Sequence, residues 1–125
     1  MADERQSRLV AQLLAKTEKG TLNWETTAND DAIQATFPDL IVYLERRASN
    51  IDDDYFIEIQ DVNGRTIDRF SDVDLGSGEH YKAMARVFEL GRRQASGADK
   101  ALDRLLSELE KMDKGRPRQS EEDPF

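Results

Sequence analysis

Cysteine is absent from this 125-residue chain. That absence excludes disulfides and thiolate metal sites, and it permits a reducing compartment. No apolar run approaches the ~20 residues of a membrane span. The opening Met-Ala-Asp-Glu-Arg-Gln-Ser-Arg puts no apolar core behind a basic start, which is not the pattern of a secretory signal. A cytoplasmic protein is the expectation. Histidine and tryptophan occur once each, at His80 and Trp24. No catalytic motif stands out, so the sequence yields a fold more readily than a function.

What is present is charge of one sign, unevenly placed. From Thr21 to His80 there are fourteen acids and four bases, a net of −10. The segments before and after contribute +1 each, which accounts for the net charge of −8. Such a field repels nucleic-acid phosphate and anionic lipid, and it favours a basic partner or a cation. The plainer reading is that the acids keep a sheet surface soluble.

The stretch Tyr55–Phe70 organises the rest. Tyr55, Ile57 and Ile59 alternate with Phe56, Glu58 and Gln60, the period of a strand with unlike faces. Asp61-Val62-Asn63-Gly64 then supplies turn chemistry, with Gly64 at the position that needs a positive φ. The spacing predicts a hairpin. Before it, strands are expected over Thr21–Thr27, Ala32–Phe37 and Leu40–Arg46, the last apolar on both faces and therefore central or covered on both sides. Pro38-Asp39 separates two of them. Ala48–Asp54 reads as a polar loop.

Helices are expected at both ends. Leu9, Val10, Leu13, Leu14 and Thr17 form one stripe between about Asp3 and Lys19, stopped by Gly20. After a connector over Ser71–Gly78, the segment Glu79–Ser96 carries Tyr81, Met84, Ala85, Phe88 and Ala95 at helical spacing. Gly91 falls inside that helix at a cost of up to ~1 kcal/mol against alanine, which a close approach of another backbone would explain. Gly97 ends it. From Asp99, a cap, Leu102, Leu105, Leu106, Leu109 and Met112 form a clean stripe expected to dock. A disordered tail is expected over 113–125, leaving a single domain over 1–112.

The fold expected is therefore α+β: a five-stranded antiparallel meander, one N-terminal helix and two C-terminal helices packed mainly on one face. The run Lys16-Thr17-Glu18-Lys19-Gly20-Thr21-Leu22-Asn23-Trp24-Glu25 resembles the opening of a group of small uncharacterised bacterial proteins. Those chains also begin with a helix and a Gly-x-Leu-x-Trp-Glu strand entry, have an Asp-x-Asn-Gly hairpin, and end in an Ala-Arg-Arg-x-Ala-x-Gly helix junction. Here the junction is Gly91-Arg92-Arg93-Gln94-Ala95-Ser96-Gly97. The resemblance covers most of Leu9–Met112 and implies the same architecture and a bacterial origin; it implies no activity.

Several groups of residues have side chains suited to chemistry. Asp52-Asp53-Asp54 would alternate sides in an extended chain and so would not converge on a cation. Asp61-Val62-Asn63-Gly64 fails as a calcium loop, because Ile59 and Phe70 would fall where acids are required. No metal and no cofactor is expected. Asp72, Asp74, Glu79 and His80 form the densest polar cluster, and a histidine–carboxylate pair suits acid–base work near neutral pH. The plainer alternative makes Ser77 a helix cap with Glu79 in the first turn. Gly76-Ser77-Gly78 is too short for a phosphate cradle and lacks the setting of a nucleophile elbow. Arg86, Arg92 and Arg93 make a local basic patch, with ion pairs the simpler account. Trp24 is either a core residue or an interface anchor.

The sheet face is ~25 Å wide at ~4.8 Å per strand, and helices pack ~10 Å apart, so two or three helices fill it. Leftover apolar stripe seeks a second chain. The expected function is a non-enzymatic protein-interaction module, homodimeric, with Trp24, Leu102, Leu105, Leu106 and Leu109 at the contact, no membrane, and a charge that argues against nucleic acid. One alternative is a protein binder similar to type III secretion chaperones, although those place a helix within the strand order. Another is a small hydrolase or nucleotide-binding enzyme centred on His80, Asp72 and Asp74. A nucleic-acid mimic would need a regular double row of acids, which the irregular spacing lacks.

Overall fold

A computed structural model describes residues 4–48 and 53–115. Its elements run α1 (Glu4–Lys19), β1 (Glu25–Thr26), β2 (Ala32–Thr36), β3 (Leu40–Arg47), β4 (Asp54–Asp61), β5 (Thr66–Ser71), α2 (Glu79–Ser96) and α3 (Ala98–Gly115). The five strands form one antiparallel sheet in chain order, with β3 in the middle. The architecture is the α+β meander expected. Of the disordered tail expected over 113–125, residues 113–115 instead continue α3 to Gly115, extending its backbone hydrogen bonding by almost a turn, and the rest, from residue 116, lies outside the described residues.

The hairpin β4–β5 forms because its turn is closed several times over. The Asp61 N–H donates to the Arg65 carbonyl at 2.9 Å, and the Gly64 N–H donates to the Asp61 carbonyl at 3.0 Å. The Asp61 carboxylate also accepts the N–H groups of Asn63 and Arg65. Gly64 takes φ 85° to complete the loop. A register shift between Ile59 and Gln60 leaves Ile67 unpaired and twists the outer strand.

The register puts Ile33, Leu44, Ile57 and Phe70 side by side across four strands on one face. All four are buried. Val10 and Leu13 of α1 and Met84, Val87 and Phe88 of α2 close over them. Tyr55 meets Tyr81 edge-on at 5.5 Å between ring centroids.

Between α1 and β1 the chain departs from the strand expected over Thr21–Thr27; only Glu25–Thr26 pair with β2. The physical reason is that the preceding backbone is held by helices. The Thr21 N–H donates to the Lys16 carbonyl, and the Trp24 N–H donates to Gln94 Oε1. Trp24 is thereby turned inward. It is 3 % exposed, and its indole N–H donates to Thr17 Oγ1 at 2.9 Å in the core. Its ring lies against Gly91 of α2, where an added Cβ would stand 2.9 Å from ring carbons and 2.6 Å from Ile33 Cδ1. The helical glycine thus answers the approach of two side chains, not of another backbone.

Candidate interaction surface

Helix α3 is built like a docked helix, but among the described residues it packs only at its junction with α2. Gly97 ends α2 in the left-handed conformation at φ 76°, donating its N–H to the carbonyls of Arg93 and Gln94. Arg93 then grips Asp99 at 2.7 Å across the junction, and α3 meets α2 there. Beyond it, every residue from Ala101 to Met112 is exposed. Leu102, Leu105, Leu106, Leu109 and Met112 are 50–58 % exposed. The expectation that this helix docks on the sheet is therefore not met; among the described residues α1 and α2 cover that face. Isolated helices of this length are marginal in water, and most helical stability in proteins comes from packing an apolar face. A continuous leucine stripe facing water is a surface in need of cover.

The polar cluster does not assemble a catalytic pair. Asp72 is buried at 2 % exposure, and its carboxylate accepts the Tyr55 N–H at 3.0 Å. Its own backbone N–H donates to the Tyr55 carbonyl, so the side chain lengthens the β4–β5 ladder. Asp74 and Ser71 exchange hydrogen bonds, each backbone N–H donating to the other's side chain. Among the described residues no hydrogen bond or ion pair joins His80 to either aspartate. His80 instead lines a groove of about 280 Å³ between α1 and α2, with Ser7, Ala11, Leu14 and Ala83. Ser77 does not cap α2 as expected. Gly78 is the N-cap, with no side-chain cap bond, and Ser77 takes φ 57° between two glycines also at positive φ.

Helices leave the second sheet face open. Arg69 lies over the Phe56 ring at 4.5 Å from its centroid and reaches Glu45 and Glu58 at 3.7 Å each. Arg47 stacks on the same ring at 5.1 Å. This network escaped the reading of the sequence, although the period of two in Phe56 and Glu58 placed both on that face. Its charges satisfy one another, which makes the face a solvated one. The basic patch is likewise paired: Arg86 reaches Glu18 and Glu89, and Arg93 reaches Asp99, while Arg92 lies over the Phe88 ring.

Two carboxylates on the hairpin titrate low. The Thr66 hydroxyl, then Gln60, holds the Glu58 carboxyl below its usual range. The Arg65 N–H, then that of Asn63, does the same for Asp61. The unfolded chain therefore binds more protons than the folded one, and stability falls as pH drops through and below about pH 4. The urea midpoint should be lower at pH 3 than at pH 7. Asp61→Asn should shrink that difference; a difference as large as the parent's would remove Asp61 as a cause.

Among the described residues, no group of three or more His, Asp or Glu side chains is placed to hold a metal ion, and no helix is long and apolar enough to cross a membrane. Asp52 of the aspartate run lies outside the described residues. The chain matches no known protein family, no curated protein and no solved structure.

Proposed function

We propose that this protein is a non-enzymatic interaction module that works as a homodimer through α3. The observation that carries the reading is the stripe of Leu102, Leu105, Leu106, Leu109 and Met112, each at least half exposed on one helix. Trp24, the other residue expected at the contact, is buried in the core. Half of the ~1.5–3 kcal/mol for burying such a side chain, over ten of them in a pair, comes to about 10 kcal/mol. Association costs ~4–15 kcal/mol in lost freedom, which leaves at most about 6 kcal/mol, a dissociation constant of some tens of micromolar or weaker. The absence of cysteine and the resemblance to small bacterial proteins fit a bacterial cytoplasm. An enzyme centred on His80 has less support, because Asp72 and Asp74 are engaged by backbone N–H groups elsewhere.

Leu105→Glu with Leu109→Glu separates this role from a structural one. Neither side chain packs on the body, so the melting temperature should hardly move; exposed substitutions stay within about ±0.5 kcal/mol. Self-association should weaken at least ~10-fold, since four charges would enter the paired seam. Size-exclusion chromatography with light scattering reads the association. Unchanged association, or a melting point many degrees lower, would refute the proposal.

A further inference from the structure

We infer that α3 pairs with α3 of a second copy in the antiparallel sense, about a two-fold axis near Ser107; this rests on α3 being the self-association surface. Leu102, Leu105, Leu109 and Met112 follow the alternating three- and four-residue spacing of a coiled-coil seam, with Leu106 beside it. Antiparallel pairing sets Leu102 against Met112 of the second copy and Leu105 against its Leu109. Leu106 then meets its own equivalent near the axis. All five large apolar side chains gain cover.

Charge decides the direction. Among the described residues the globular body meets α3 at its N-terminal end, next to Gly97. That body, residues 1–97, carries a net −6: −10 over Thr21–His80, +1 before it and +3 after it. Parallel helices would bring two such bodies together at the ~10 Å spacing of packed helices. Antiparallel helices place them at opposite ends of an 18-residue helix, ~27 Å long at 1.5 Å per residue. That is about three Debye lengths at physiological salt, where repulsion is screened. The helix dipoles also oppose one another in this arrangement. Glu108 would approach its equivalent near the axis, but Lys111 on the same helix already reaches it at 3.5 Å.

The lack of native cysteine makes any introduced thiol unique. Leu102→Cys and Met112→Cys chains, mixed and oxidised, should form the mixed disulfide far more readily than either forms a disulfide with itself. Efficient self-crosslinking of both variants would overturn the orientation while leaving α3 pairing intact. A monomeric mass for the unmodified chain would overturn the pairing itself, as would finding α3 folded back into its own α1–α2 groove. If the seam substitutions disturb association, a spin label at Lys100→Cys, off the seam, gives the answer. Separation beyond about 20 Å is expected for antiparallel helices, and about 10–15 Å would mean parallel ones.

Discussion

Gly91→Val should destabilise the fold by about 3 kcal/mol, and Gly91→Ala by about 1–3 kcal/mol, the usual range for overpacking a tight core. The cause is steric. A Cβ at residue 91 would stand 2.9 Å from two carbons of the Trp24 ring and 2.6 Å from the Ile33 methyl. The methyl ends a flexible side chain and can turn aside. The ring cannot, because its N–H is tied to Thr17 on α1 and its backbone N–H to Gln94 on α2. Alanine's helix propensity returns at most ~1 kcal/mol of that strain. Urea denaturation measures both variants; a Gly91→Ala chain as stable as the parent would show that the ring has room to move.

Trp24→Ala should cost more, about 3–5 kcal/mol, the range for truncating a large buried aromatic. The ring is 3 % exposed and sits where α1, α2 and the short first strand converge. Its loss would also leave the buried Thr17 hydroxyl without its indole partner, a further penalty of about 1–3 kcal/mol if water does not enter. The two sites touch, so their effects should not add. Once Trp24 is alanine the main obstacle at residue 91 is gone, and Gly91→Ala should become neutral or stabilising by up to ~1 kcal/mol, the propensity difference alone. A reversal of sign between the two backgrounds is the expected result. The same destabilisation in both would mean that Ile33, not Trp24, defends the site.

How much of this was legible in the sequence depended on whether the decisive contact was local. The hairpin was legible because Asp61, Asn63 and Gly64 close their own turn and Ile57 and Ile59 alternate with polar neighbours. The strand order followed from short links. The truncated first strand was not legible, since the Trp24 N–H leaves the ladder for Gln94, seventy residues away. Nor was the role of Gly91, which answers two side chains from distant segments. Ser77 has the chemistry of a helix cap, but flanking glycines at positive φ carry it into an unusual backbone conformation that no local rule foretells. For α3 the leucine stripe was plain in the sequence; its exposure was not, because periodicity says which face must be buried and nothing about which chain supplies the cover.

Sedimentation equilibrium of the unmodified chain, from about one to a few hundred micromolar, decides whether the chain pairs with itself. A reversible rise in mass is expected, from the 14.3 kDa of one chain toward twice that value. A mass of 14.3 kDa at every concentration would contradict it.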